Sequence, residues 1–229
     1  MDNSNKYLTA YDEQLSNITN LKWLPWIGHQ YEKTRLLIIG DSFYDDGKGW
    51  PENDLSAPRS LIENQGLNPD FPNKGRFLKK VANTILDLDQ KSTPTEIENF
   101  WTSVAYFNLI QRGLTSRKER PINEDFDLGW ETVLRVAEIL QPKICIKLGI
   151  AGIGRLGYII ANENSGWHAG HGDFQYKPYK LYAINLYKSS YHSKILCIHH
   201  PTGSRYFPKY WPAIRGEFHT EFKQAVKFD

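Results

Sequence analysis

The run Arg35-Leu36-Leu37-Ile38-Ile39-Gly40-Asp41-Ser42-Phe43-Tyr44 constrains the fold more than any other stretch of the chain. Four apolar residues lead into a glycine, and an acid, a hydroxyl and two aromatics follow. A short apolar run stopped by glycine reads as a strand buried on both faces. In open α/β sheets, chemistry gathers just beyond the carboxyl ends of such strands. Asp41, Ser42, Phe43 and Tyr44 are therefore expected where a pocket opens. A second run near the other end, Ile195-Leu196-Cys197-Ile198-His199-His200-Pro201-Thr202-Gly203-Ser204, has the same form.

Two more apolar runs, residues 103–110 and 143–149, supply further strands, the first carrying Asn108 near its end. Helical spacing separates the strands. Phe77, Val81, Ile85 and Leu88 recur on one face of residues 76–89, and Trp130, Val133, Leu134 and Ala137 on one face of residues 126–140. Residues 150–162 and 211–228 read as further helices. Thr93-Pro94-Thr95-Glu96 opens another, with a capping threonine, proline at the first position and glutamate at the third. Strands alternating with helices predict an α/β fold, a three-layer αβα sandwich around a mainly parallel four-stranded sheet.

Residues 1–20 form a polar segment with a short helix within 7–17, and residues 21–229 a single α/β domain. Trp23-Leu24-Pro25-Trp26-Ile27-Gly28 reads as a cover over the sheet rather than a member of it. Residues 45–74, rich in Pro, Gly, Asn and Asp, read as a long irregular loop carrying Trp50, Arg59 and Phe71. Loops of that length inside a domain are usually functional. Residues 165–182 hold a hairpin or a lid.

At 229 residues the chain suffices for one domain with a sizeable core. Its net charge of +2 does not announce a nucleic-acid binder, since a local basic face matters more than the total. The basic loop 111–125, with Arg112, Arg117, Lys118 and Arg120, is either a solvated loop or a nucleic-acid contact. The two cysteines, Cys145 and Cys197, fall inside apolar strands and are too few for a four-thiolate iron–sulfur cluster. A polar start without an apolar signal core, and no apolar run of membrane-spanning length, predict a cytoplasmic protein without membrane contact.

Four readings compete for the chemistry. Gly152-Ile153-Gly154-Arg155-Leu156-Gly157 matches a dinucleotide-binding turn, but it follows the third strand and lacks the later acid. Its alternative reading is close helix–sheet packing. Asp41, Asp45 and Asp46 form an acidic group that reads as solvated rather than as a metal site. Gly40-Asp41-Ser42 matches the opening block of GDS-type serine esterases, with Ser42 as nucleophile. The orienting Asp that such enzymes place three residues before their His is absent, Cys197 standing three before His200.

The fullest match combines Gly40-Asp41-Ser42-Phe43-Tyr44, Phe107-Asn108 and His200-Pro201-Thr202-Gly203-Ser204, with Trp23–Gly28 ahead of the first strand. In that order, over residues 21–212, these segments resemble the uracil-DNA glycosylase superfamily, in its uracil-DNA glycosylase-like branch. The resemblance implies base flipping and N-glycosidic hydrolysis of a damaged base in DNA repair, by a monomer needing no metal or organic cofactor. It implies catalytic roles for Asp41, Ser42 and His200, and base contacts from Phe43, Tyr44 and Asn108. Asn108 matches the asparagine that reads the uracil edge, and His200 the histidine of the His-Pro-Ser motif. Ser204, Arg205 and Tyr206 stand where the superfamily inserts a loop into the DNA groove, with Lys209 on the same face. The chain departs from the pattern at Ser42, where the superfamily's water activator stands, at Phe43 in place of proline and at Thr202 in place of serine. Two other readings remain: a non-catalytic nucleic-acid-binding module of the same fold, and the esterase.

Overall fold

Leu36, Leu37, Ile38 and Ile39 have nowhere to go but between two layers. In the computed structural model they form β2 (Leu36–Gly40), buried on both faces. The structure describes residues 6–45, 47, 49, 51–68, 76–86, 93–116, 118–162, 166–176 and 179–201. Leu36 and Ile38 enter one core, with Leu78, Val81, Phe100 and Trp101 from α4 (Arg76–Leu86) and α5 (Pro94–Thr102). Leu37 and Ile39 enter another, with Trp130, Val133, Leu156 and Ile159 from α6 (Asn123–Leu140) and α7 (Ile153–Asn162). Side chains alternating between two helical layers are what a doubly covered strand requires. Each such side chain contributes about 1.5–3 kcal/mol by leaving water.

The sheet corrects the four-stranded expectation. It has seven strands and is mixed, in the order β1-β4-β2-β6-β9-β8-β7. β4 (Val104–Asn108), β2, β6 (Ile144–Leu148) and β9 (Tyr191–Ile198) run parallel to one another. On one edge β1 (Trp26–Ile27) pairs antiparallel with β4, so the segment expected only to cover the sheet joins it. On the other edge β7 (His168–Tyr176) and β8 (Tyr179–Lys188) pair antiparallel, and β8 pairs antiparallel with β9, so the described part of the segment read as a hairpin or a lid belongs to a hairpin. β3 (Phe43–Tyr44) and β5 (Gly113–Leu114) form a separate parallel pair.

Three other segments differ from or sharpen the sequence reading. Residues 45–74 are not irregular throughout: α3 (Ala57–Leu61) runs into a π-helical turn, Ile62–Gly66. Asp54 starts α3 by accepting from the Ser56 N–H and hydroxyl, and Pro58 occupies its first turn. The Thr93 cap forms as its sequence requires, with Glu96 N–H donating to its hydroxyl at 3.2 Å and the Glu96 carboxylate accepting from Thr93 N–H. Near the N-terminus, α1 (Asp12–Ser16) buries Leu15, α2 (Tyr31–Thr34) buries Tyr31 and Thr34, and Leu8 N–H donates to Ile27 O at 2.7 Å. The expected helix over 211–228 lies outside the described residues.

From β2 the chain steps to β4 on one side, then crosses to β6 on the other. The strand order therefore reverses between β2 and β6, and ligands of open α/β sheets bind at such a reversal.

Candidate active site

A cavity of about 820 Å³ opens at the carboxyl ends of β2 and β4, a size within the roughly 300–1,000 Å³ of small-molecule sites. Asp41, Ser42, Phe43, Tyr44, Asn108 and His200 all line it. Ser204, Arg205, Tyr206 and Lys209, like Asp46, Trp50, Phe71, Arg117 and Thr202, lie outside the described residues.

Backbone hydrogen bonds stitch the loops beyond the strands together. Leu109 N–H donates to Gly40 O and Ile110 N–H to Asp41 O, each at 2.9 Å. Gly149 N–H donates to Ile198 O at 2.7 Å. The loop after β2 is thereby tied to that after β4, and the loop after β6 to β9.

Asn108 is the first decisive side chain. It is almost wholly buried, and its Oδ1 accepts from the Tyr106 hydroxyl at 2.8 Å. Its Nδ2 has no hydrogen-bond partner among the described residues. A buried donor without an acceptor is costly, by about 1–3 kcal/mol. Gly40 makes this arrangement possible, because a Cβ there would overlap the Asn108 Oδ1. Tyr106 keeps its proton: burial first, and the charge of Asp41 second, push its hydroxyl well above the ordinary value.

Lys147 was hidden in the sequence. It sits on β6, fully buried, and its ammonium donates to the Asp41 carboxylate. It also donates to Leu148 O at 3.0 Å and Gly149 O at 3.2 Å, which uses all three N–H groups. The only outward signal is a lone lysine within an otherwise apolar strand, which implies a paired buried charge. Gly149, at φ +94°, passes so close to Asp41 that a Cβ would overlap its carboxylate.

His200 follows β9 and stacks on Phe77 of α4, with centroids 5.3 Å apart and planes within 5°. Burial lowers its imidazole from the ordinary value; nearby Asp41 opposes this and Lys147 adds to it. Burial thus favours the neutral ring. Phe77 lines the cavity with Leu61 and Gln65, which come from the segment read as irregular.

No family model matches the chain, and no curated protein matches it.

The other motifs find different uses. In the glycine-rich turn, Gly152 lies against the Phe126 ring, while a Cβ at Gly154 or Gly157 would meet nothing within 4 Å. Close packing therefore accounts for Gly152 alone. Among the described residues, no group of three or more His, Cys, Asp or Glu side chains is arranged to hold a metal ion. Cys145 and Cys197 are free and buried, and burial pushes both thiols up to about 12. Arg112 of the basic loop, its side chain still 38% exposed, is bound to Asp125 at 2.7 Å and to Glu119 at 2.6 Å. No helix among the described residues is long and apolar enough to cross a membrane.

Proposed function

We propose that the cavity receives one base flipped out of DNA and that the protein hydrolyses its N-glycosidic bond, as the resemblance to the uracil-DNA glycosylase superfamily implies. It acts as a cytoplasmic monomer in DNA repair. The observation that carries the reading is the convergence of Asp41, Asn108 and His200, from three distant segments of the chain, on one cavity at the strand ends. A base inside a duplex is out of reach, so base chemistry needs a closed pocket that reads the base edge.

Bond cleavage leaves negative charge on the base and cationic character on the sugar. The neutral imidazole of His200 donates to the base oxygen as that charge develops. The Asp41 carboxylate offsets the sugar cation and orients water toward the sugar carbon. Water adds to that carbon, and its proton passes to the departing base. Tyr44, at the mouth, and Phe43 enclose the base. Ser204, Arg205 and Tyr206 take the DNA backbone and groove.

The test is incubation with oligonucleotides carrying uracil, hypoxanthine or a mismatched base, followed by alkaline cleavage of abasic sites. Strand breaks should appear, and should fall at least about 100-fold in Asn108→Ala and His200→Ala. Breaks that persist in both variants, or no breaks from any substrate, overturn the reading. One observation favours a second reading. The sole acid expected to act on water, Asp41, already holds Lys147, and Ser42 is a poor base. Binding of these oligonucleotides without breaks identifies a non-catalytic DNA-binding module. Nothing comparable favours the esterase, since Cys197 stands where such enzymes place the Asp that orients their His.

A further inference from the structure

His200 stands two residues beyond Ile198, where β9 and its ladder to β6 end. The strand fixes where the backbone passes but not how the ring is turned. The ring torsion of a histidine has only broad preferences. A hydrogen bond, by contrast, prefers a donor angle above about 150° and weakens steeply below about 120°. An imidazole that donates into the cavity therefore needs its plane set by a neighbour.

Helix α4 supplies one. Leu78, Val81 and Ala82 are buried in the core and anchor the helix. Phe77, just before them, packs against that core and lines the cavity together with His200. The two rings are parallel to within 5°, with centroids 5.3 Å apart. Touching carbon atoms lie about 3.5–4.0 Å apart, so the stack is offset, an arrangement that aromatic pairs prefer. We infer that Phe77 is a positioning residue for His200: its ring sets the plane of the imidazole and shields part of one face from water. The inference rests on the donor role that the proposed function gives to His200. It places control of that donor in a core-anchored helix far away in the sequence.

Burial is the main cause that lowers the imidazole, as such shielding requires. The charges that act on the ring come from two strands: Asp41, beyond β2, raises it, and Lys147, on β6, lowers it. His199, next in the chain, is itself lowered by burial. Glu119 and Arg120 line the same cavity. On α4, Lys79 and Lys80 are exposed. Phe77 therefore acts on the ring by contact and by excluding water, not by charge.

The test pairs NMR titration of the His200 ring with cleavage kinetics on a uracil-carrying oligonucleotide, both on the full chain. In Phe77→Ala water reaches the ring, and its midpoint should move up toward the ordinary value of about 6.5. Phe77→Leu keeps apolar bulk against the core but loses the flat face, and supplies a second route if Phe77→Ala does not fold. Its midpoint should move the same way by less. Its kcat should fall by about tenfold or more as the donor loses alignment, with KM within about twofold. Phe77→Tyr, which restores a flat ring, should recover most of that loss. A purely structural phenylalanine would lower the urea midpoint and leave the His200 titration and kcat alone, and that result overturns the inference. A loss carried by KM would mark Phe77 as a ligand contact and overturns it too. The outcomes separate the inference from the glycosylase reading. Shifted titrations in a native protein that cleaves nothing leave the positioning standing and end hydrolysis. Cleavage that Phe77→Leu leaves unchanged, with an unmoved titration, does the opposite.

Discussion

The ammonium of Lys147, wholly buried at the end of β6, donates to the carboxylate of Asp41 just beyond β2. The pair spans the two strands between which the strand order reverses. Its lysine also holds the carbonyls of Leu148 and Gly149, so one charge organises the floor where two loops diverge. The partners differ in environment: the Lys147 side chain is 0% exposed and that of Asp41 31%.

That asymmetry predicts unequal losses on substitution. Asp41→Ala leaves an ammonium buried with only two carbonyls, and breaking a buried pair in this way costs about 3–5 kcal/mol. Lys147→Met leaves a carboxylate that water still reaches and fills the strand interior with an apolar chain, so the loss should be clearly smaller. Urea unfolding of the two variants and of the double variant measures this. The double variant should be more stable than Asp41→Ala. Equal losses for the two single variants would show that Lys147 is not a buried charge.

Gly40 supports a second prediction. A methyl group there overlaps the Asn108 Oδ1 while leaving the strand backbone free to form. Gly40→Ala should fold, lose roughly 1–3 kcal/mol through overpacking, and lose at least about tenfold in uracil affinity as the amide is displaced. Unfolding curves and base titration check both parts. Unchanged affinity would mean that Asn108 does not read the base.

The strands that carry the site were legible because burial on both faces writes an unbroken apolar run, as in Leu36–Ile39 and Ile195–Ile198. Their ends marked Asp41, Asn108 and His200 for the same reason. Phe77 was legible as a core helix position but not as the ring beneath His200, since that contact joins distant segments. β1 was missed because a two-residue strand carries no readable period. The sequence of the hairpin β7–β8 fits a lid as well as a hairpin because its Gly, His and Tyr content does not alternate cleanly. α3 is hidden in the sequence by Pro58 and by Asp54, which here start the helix instead of preventing it. Lys147 is not legible as a site residue because a lysine in an apolar run reads as an interruption until its partner is seen.

The basic loop yields a third prediction. Hydrogen bonds from Thr115 and then Arg112 hold the Glu119 carboxyl down at about 2. An acid lowered on folding adds stability that is present above its unfolded value and is lost as pH falls toward its folded value. Its contribution should therefore persist through about pH 4.5 and fade between there and about pH 2. A carbon-detected NMR titration of the Glu119 carboxyl should show the low midpoint, and Arg112→Gln should move it back toward the ordinary range. A midpoint in that range in the native protein would mean that the loop is open.

His200 gives a fourth prediction, with the opposite chemical origin. Its imidazole is lowered chiefly by burial, so the unfolded chain binds this proton more readily than the folded one. Stability then rises with pH wherever the unfolded state carries the extra proton. The contribution is complete above the unfolded imidazole value of about 6.5. It is lost as pH falls from there toward the lower folded value, and below that it changes no further. His199 is lowered by burial too, so part of the slope belongs to it. Urea midpoints of the native protein should therefore fall between about pH 7 and pH 5, and those of His200→Gln should fall less steeply while keeping the share due to His199. Parallel curves for the two proteins would mean that the His200 ring is solvated, and the neutral donor assigned to the departing base would be lost with it.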